Sequence, residues 1–336
     1  GNGPDPCVDG VRRGTDRRRT AAPGRHDIDP TAILAPFYFL FFGLMLSDAA
    51  YGLILTTLCA IILKKYKPEG TTHRMIKMFM FCGLSTFMWG ALFGGWFGNF
   101  FTVAAKTFFG KEFVIRPLWF DPLSEPMRLL VVSLILGAVH LFVGMGVQAY
   151  MDIKDGRPLD ALFDIGLWYL LLIGIVLFAF GGKLGAGAVG IGKIMAIVGA
   201  VGILLTGGRK KKGIFGKLTG GLGSLYGITS YLSDVLSYSR LLALGLATGV
   251  VAQVFNTLGS LAGGGIAGSI LLIVVFAFGT VFNIAINALG AFVHSCRLQY
   301  VEFFGKFYTG GGRPFAPFER KTKYIKILKE GNDNVK

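Results

Sequence analysis

Arg240 lies within a long apolar stretch, residues 222–258, that is predicted to form a helix crossing a membrane. A guanidinium group keeps its proton in proteins, and placing one at bilayer depth costs roughly 3 kcal/mol on insertion scales. Such a residue is expected to face protein or water and to mark an ion path. Ser230, Ser233 and Ser237 precede Arg240 at helical spacings, so the sequence predicts one polar stripe on this helix.

A second polar stripe is predicted on the last apolar run, residues 265–308. Its members are small or polar residues that fall within an arc of about 80° at 100° per residue: Asn283, Asn287, Gly290, His294 and Arg297. Two polar faces that each carry an arginine favour one shared ion-handling site. As an alternative, the serines and asparagines only hold helices together by hydrogen bonds, and His294 either relays protons or fills polar space.

The chain resembles the membrane half of the a subunit of V-type and A-type rotary ATPases, called subunit I in prokaryotes. The resemblance spans residues 27 to about 318 and rests on motifs that stand in the order of the family. These are D-P-T-A-I-L-A-P-F at 29–37 with G-L-M-L-S-D-A-A-Y-G at 43–52, S-D-V-L-S-Y-S-R-L-L-A-L at 233–244, H-S-C-R-L-Q-Y-V-E-F-F-G-K-F-Y at 294–308, and P-F-A-P-F at 314–318.

The resemblance implies a stator subunit that couples rotation of a ring of c-type (proteolipid) subunits to ion flow through two offset half-channels. Arg240 matches the principal arginine of the family and Arg297 matches its second arginine. Two unit charges about 4 Å apart at an effective dielectric of 20 gain roughly 4 kcal/mol, enough to make a ring carboxylate release its proton or sodium ion. The implied partners are this ring, the peripheral-stalk and central-stalk subunits and the lipid bilayer.

The polar residues around the arginines are candidates for lining the half-channels. They are Glu302, His294, Asn287, Asn283, Ser237, Ser233, Asp234 and Thr248. Glu302 is expected about 100° off the arginine face, where it either lines the inner half-channel or is solvated at the helix exit. Asp234 is expected on a different side from Arg240, as a half-channel group or a helix-end charge. Many eukaryotic relatives carry histidine and glutamate where this chain has Thr248 and Asn287, so proton and sodium transport both stay open.

The composition predicts an all-α polytopic membrane protein of about eight helices. Hydrophobic residues make up 53% of the chain and the mean hydropathy is +0.59, far above soluble domains. The net charge of +15 comes from clusters between apolar runs and from the tail, which indicates membrane orientation and not nucleic-acid binding. The four cysteines lack metal-ligand spacing, and no cofactor is expected. Residues 206–213 and 216–219 lack a P-loop pattern, so any ATP hydrolysis is expected in partner subunits.

Five regions are predicted along the chain. They are a disordered leader at 1–30, a helix bundle at 31–206, a basic cytoplasmic loop at 207–221, two long and steeply tilted helices facing the ring at 222–310, and a cytoplasmic tail at 311–336. A long aromatic loop is predicted at 101–127.

The first apolar run, residues 34–63, is interrupted by Ser47 and Asp48. We predict that it forms a broken hairpin of two short helices, neither of which spans the membrane fully. The basic segment at 64–77 is expected in the cytoplasm by the positive-inside rule. With this hairpin the helix count places both termini in the cytoplasm of a multi-pass protein of the cell membrane.

A secondary ion or solute transporter is the main alternative, because such proteins also have broken helices and charges within the membrane. No repeat of the Arg240 motif is found in the first half of the sequence, and the last helix is too long for a simple alternating-access bundle. A purely structural membrane anchor would not explain two arginines at bilayer depth.

Overall fold

The computed structural model describes residues 31–66, 68, 70–109, 115–180, 186–207, 214–261 and 265–307. These residues form helices joined by short connections, with no strand among them, so the predicted all-α fold is confirmed. The α-helices are α1 (Thr31–Leu46), α2 (Ala49–Tyr66), α3 (Thr71–Phe93), α4 (Phe100–Phe109), α5 (Pro126–Lys154), α6 (Pro158–Ala161), α7 (Leu167–Phe180), α8 (Ala186–Thr206), α9 (Ile214–Ser237), α10 (Ser239–Ser260), α11 (Ile266–Arg297) and α12 (Phe304–Phe307). The predicted leader and tail lie outside the described residues.

Two π-helical segments join neighbouring α-helices. Segment π1, Leu162–Gly166, connects α6 to α7, and segment π2, Leu298–Phe303, connects α11 to α12. A π-helix holds one more residue per hydrogen-bonded ring than an α-helix, and such segments are frequent at functional sites. Segment π2 lies inside the run that carries Arg297 and Glu302, so it decides where their side chains point.

Six helical runs among the described residues are long and apolar enough to cross a membrane. They are Ala49–Tyr66, Thr71–Phe93, Pro126–Lys154, Gly187–Thr206, Gly223–Ser260 and Ile266–Phe307. Two shorter apolar runs, Thr31–Leu46 and Leu162–Phe178, bring the number close to the predicted eight. By length and composition α2, with 18 residues, is a candidate span, whereas α1, with 16, is shorter, so the prediction that neither arm of the first hairpin spans fully stays a prediction.

The predicted broken hairpin is present, and its two arms lie against α3. The Phe42 ring of α1 contacts the Phe79 ring at 6.0 Å between centroids, and Thr56 of α2 donates a hydrogen bond to the Met80 carbonyl at 3.5 Å. Phe79 and Met80 are neighbours on α3, so both arms reach the same level of that helix. The turn between the arms lies at the C-terminal end of α3, where the Ala49 N–H donates to the Gly95 carbonyl at 2.8 Å.

The turn is stabilised by the two residues predicted to break the helix. Ser47 adopts a positive φ of 36°, and the buried Asp48 carboxylate accepts hydrogen bonds from backbone N–H groups at 3.0–3.2 Å. The donors are Ala50, Tyr51, Phe97 and Gly98. Two of these N–H groups belong to the start of α2, so Asp48 satisfies helix-end donors that water cannot reach.

The protein core surrounds α1, which packs against α3, α10 and α11. Phe41, Phe42, Leu44, Met45 and Leu46 of α1 are all fully buried. A helix break at this depth is tolerable because neighbouring helices, and not lipid, surround it.

The first of the two helices that carry the arginines differs from the prediction at its start and in its middle. Helix α9 begins at Ile214 and not at residue 222, so the predicted basic loop at 207–221 is shorter. Residues 208–213 lie outside the described residues. The predicted continuous helix is also interrupted, because α9 ends at Ser237 and α10 begins at Ser239.

The predicted aromatic loop at 101–127 contains the short helix α4. Phe100 stacks on Phe276 of α11, with 3.7 Å between ring centroids, and Asn256 of α10 donates a hydrogen bond to the Phe97 carbonyl at 2.9 Å. These contacts come from helices far along the chain. The aromatic residues of this segment therefore fix α4 against α10 and α11, an effect that local sequence does not reveal.

Candidate functional site

The Ser-Tyr-Ser-Arg motif lies where α9 changes into α10. The Tyr238 N–H donates to the Val235 carbonyl at 3.1 Å, and the Leu241 N–H donates to the Tyr238 carbonyl at 3.0 Å. Both bonds span three residues, so the chain tightens at the motif. The Tyr238 ring is fully buried against Gly137 of α5, where an added Cβ would overlap with the ring. A glycine at this position lets the ring approach, and Arg240 lies two residues after the anchored tyrosine.

Arg240 forms an ion pair with Glu302 of segment π2. The guanidinium Nη1 donates to Glu302 Oε1 at 3.2 Å, and the exposed fractions of the two side chains are 24% and 3%. The second carboxylate oxygen, Oε2, is buried and has no hydrogen-bond partner among the described residues. Arg240 thus has a partner that the sequence analysis did not assign to it, and most of its N–H donors stay available.

Segment π2 affects the direction of the Glu302 side chain, which the sequence analysis placed away from the face of Arg297. That analysis counted residues along a regular α-helix and put Glu302 about 100° away from the arginine face. The wider π-turn from Leu298 to Phe303 changes the direction of every later side chain relative to α11. Glu302 is therefore buried against α10, and the interpretation of a solvated carboxylate at the helix exit is wrong.

His140 of α5 connects the tyrosine motif to segment π2. The ring atom Nδ1 lies 2.7 Å from the Tyr238 hydroxyl, and Nε2 lies 3.1 Å from Gln299 Oε1. The imidazole is fully buried, and it stacks on the Phe303 ring with 4.2 Å between centroids. Three helical segments meet in this one hydrogen-bonded group.

A charged polar region lies on the side of Arg240 that is predicted to face the cytoplasm, and we call it the inner region. It is defined by Gln148, Asp152, Arg157, Asp164, Tyr231, Asp234 and Lys306. Lys306 forms an ion pair with Asp234, and its ammonium lies 4.0 Å from the centroid of the Tyr231 ring. Arg157 donates to Asp152 at 3.3 Å. All of these residues except Asp234 help to line a polar cavity of about 310 Å³.

A neutral polar region lies on the other side of Arg240, and we call it the outer region. It consists of Tyr51, Thr248, Asn283 and Asn287, all buried. The Asn283 amide donates to the Tyr51 hydroxyl at 3.0 Å and to the Thr248 carbonyl at 3.1 Å, and the Asn287 amide donates to Asn283 Oδ1. Three helices, α2, α10 and α11, are thereby joined by uncharged groups.

The remaining predicted site residues are not brought to the Arg240–Glu302 pair. Ser237 donates a hydrogen bond to the Ser233 carbonyl at 3.0 Å, and Ser233 is exposed. Arg297 is exposed, and Nδ1 of His294 is buried with no hydrogen-bond partner in the part of the chain that the structure describes. Both arginines nevertheless interact electrostatically with Glu302 and His294, so the charges of the two stripes converge.

Sequence reasoning missed several residues that organise the site. His140 is a lone histidine in an apolar helix, and nothing in the local sequence connects it to Tyr238 or Gln299. Lys306 belongs to the quoted motif at 294–308, yet its pairing with Asp234 depends on segment π2. Within the described residues, no group of three His, Cys, Asp or Glu side chains is placed to hold a metal ion.

Comparison with known proteins identifies similar chains. Residues 228–320 match the V-type ATPase 116kDa subunit family. The A-type ATP synthase subunit I of Methanocaldococcus jannaschii is 35% identical over 335 residues, which covers 90% of this chain and 47% of the relative. The corresponding protein of Thermococcus kodakarensis is 38% identical over 312 residues, covering 90% of this chain and 45% of the relative.

A bacterial protein is also similar. The V-type ATP synthase subunit I of Borreliella burgdorferi is 25% identical over 323 residues, covering 90% of this chain and 51% of the relative. The chain thus spans about half the length of these relatives. Together with the apolar helices, the matches support a multi-pass membrane protein. They confirm the family expected from the motifs, subunit I of the A-type and V-type ATP synthases.

Proposed function

We propose that the chain acts as the ion-translocating stator part of the membrane sector of a rotary ATPase. Arg240 makes the carboxylate of a rotating c-type subunit release its proton or sodium ion, and Arg297 assists. The chain itself hydrolyses no ATP. Its partners are the ring of c-type subunits and the stalk subunits of the same complex, in a cell membrane with both termini of the chain in the cytoplasm.

The partly exposed ion pair of Arg240 is the observation that carries this proposal. Glu302 receives a single hydrogen bond from Arg240, at 3.2 Å. A guanidinium has five N–H donors, so Arg240 can receive a second carboxylate while Glu302 holds it in place. A permanent charge arranged in this way attracts a carboxylate and displaces the cation bound to it.

The positions of the two polar regions support offset half-channels. On the run formed by α11, π2 and α12, Asn283 of the outer region and Lys306 of the inner region are separated by 23 residues, or roughly 34 Å at about 1.5 Å per residue. That separation is close to the hydrocarbon thickness of a bilayer, about 30 Å. We assign the inner region to the half-channel on the cytoplasmic side and the outer region to the opposite half-channel, with Arg240 between them.

The surface of α11 supports a protein partner on this face. Leu289 and Val293 are 64% and 52% exposed, and Arg297 is exposed in the same row at a spacing of four residues. A row of apolar residues suits either lipid or protein, but a guanidinium within it does not suit lipid. We therefore assign this face to contact with the ring.

Ion uptake driven by ATP, measured in vesicles that contain the reconstituted complex, tests the proposal. Arg240→Ala should abolish uptake while the subunits still assemble. Arg128→Ala is the matched control, because Arg128 is 65% exposed and pairs with the exposed Glu125. Uptake that persists in assembled Arg240→Ala complexes would refute the assignment and favour a secondary transporter.

A further inference from the structure

We propose that His140 is a positioning residue that sets the geometry of the Arg240–Glu302 pair. The inference rests on the proposed function, because it concerns how the same site is held. His140 bonds to Tyr238, two residues before Arg240, and to Gln299, three residues before Glu302. No other described side chain forms hydrogen bonds to both of these segments.

The hydrogen bonds define the protonation of the ring. With the Gln299 carbonyl oxygen facing Nε2, that nitrogen must carry a proton, because an amide oxygen only accepts. In the neutral ring that is protonated on Nε2, Nδ1 accepts from the Tyr238 hydroxyl and both nitrogens are satisfied. A fully buried, fully bonded ring of this kind acts as a rigid spacer between its two partners.

Both partners of His140 lie where the backbone departs from a regular α-helix. Tyr238 is at the junction of α9 and α10, and Gln299 is inside segment π2. Such departures need support from surrounding contacts, because a regular helix is the lower-energy local alternative. By holding both at fixed distances, His140 keeps α10 and π2 at the separation that lets Arg240 meet Glu302.

The walls around His140 prevent the ring from turning away. Phe37 and Phe41 of α1 contact it with ring centroids at 4.5 and 5.0 Å, and Phe303 stacks on it at 4.2 Å. Replacement by another ring of similar size would keep much of this packing. Packing and hydrogen bonding can therefore be separated by choice of substitution.

His140→Phe keeps a ring and removes both hydrogen bonds, whereas His140→Gln keeps a donor and an acceptor. We expect uptake per assembled complex to fall about tenfold in His140→Phe, the scale of one or two lost hydrogen bonds, and to recover to within about threefold in His140→Gln. The number of ions moved per ATP hydrolysed should fall with it, since a displaced Arg240 no longer forces ion release. Ser133→Ala is the control, because Ser133 is buried on the same helix and bonds only within it, to the Leu129 carbonyl.

Tyr238→Phe removes only a hydroxyl and keeps the test decisive if His140→Phe does not assemble. It should lower uptake and the ion-to-ATP ratio in the same direction. A loss of assembled complex with normal uptake and coupling per complex would overturn the inference, as would equal damage by His140→Gln and His140→Phe. Arg240→Ala measured alongside separates the two proposals. If it blocks uptake while the assembled Tyr238→Phe and His140→Phe variants work normally, only the role of His140 fails, and if it transports, the proposed function itself fails.

Discussion

The inner and outer regions lie on opposite sides of Arg240 and are built from different chemistry. The inner region contains carboxylates, a lysine and an arginine around a cavity of about 310 Å³. The outer region contains two amides, a phenol and a threonine that bond to one another and to the backbone across three helices. One region is charged and open enough for water, and the other is neutral and packed.

This difference indicates which property each region contributes, ion passage or stability of the helix packing. Charged groups in a cavity can rearrange and exchange partners with water, so the inner region tolerates the passage of an ion. A packed group of neutral donors and acceptors stabilises the helices as long as every member has its partner. We therefore expect inner substitutions to change transport first and outer substitutions to change stability first.

Glu302→Gln should cause the largest loss of ion uptake among these variants. It leaves the Arg240 charge without a counterion, and breaking a buried pair costs about 3–5 kcal/mol, somewhat less here because Arg240 is 24% exposed. Uptake per complex should fall more than about tenfold, since a guanidinium that is bonded to a neutral amide is held less firmly and no longer meets the ring carboxylate in one position. Measurement is by ATP-driven uptake, with Glu125→Gln as the exposed carboxylate control.

Normal uptake in Glu302→Gln would mean that Arg240 needs no charged partner. The charge of Glu302 would then be unrelated to ion release, and the expectation that charged groups near Arg240 affect transport first would fail.

Asn283→Ala should give an intermediate effect, mainly on stability. The change leaves the Tyr51 hydroxyl and the Thr248 carbonyl without their donor, at a cost of about 1–3 kcal/mol. Thermal unfolding of the complex in detergent should shift downward, while uptake by the complexes that remain folded should stay within about threefold of wild type, because no charge is lost. Thr257→Ala, which removes an exposed hydroxyl bonded only within its own helix, is the control.

A drop in uptake as large as that of Glu302→Gln, with unchanged stability, would contradict this expectation. It would show that the Asn283 amide itself binds the passing ion, and does not only hold together the helices that form the outer half-channel.

Asp234→Asn and Lys306→Gln should have the smallest effects, singly and together. Their side chains are 24% and 12% exposed, and partly exposed ion pairs contribute about 1 kcal/mol or less. Each single variant should lower uptake about two- to threefold, and the double variant should be no worse than either, because the pair is already broken. Additive losses would show that the two charges act separately along the inner half-channel.

Some features of the fold follow directly from the sequence. The break after α1 was predictable because Ser47 and Asp48 interrupt an apolar run, and Asp48 then finds four backbone donors. The apolar lengths likewise predicted the number of long helices within narrow limits. In both cases the cause lies within a short segment of the chain.

Other features depend on contacts between residues far apart in the chain and could not be predicted from the sequence. The junction at Tyr238 contains no proline or glycine, and its cause is a ring that enters a space left by Gly137, a hundred residues earlier. Segment π2 has no sequence signal of its own, so the burial of Glu302 and its pairing with Arg240 were not predicted. The two arginines could be recognised from their chemistry, but the pairing of Arg240 with Glu302 could not.

Segment π2 can also be regarded as a single inserted residue. Deleting one residue between Leu298 and Phe303 would restore a regular α-helix and turn everything after it by about 100°. Glu302 would leave Arg240, and Lys306 would leave Asp234 in the same movement. One extra residue in segment π2 therefore positions the side chains of both ion pairs. The number of residues in this segment matters as much as their identity.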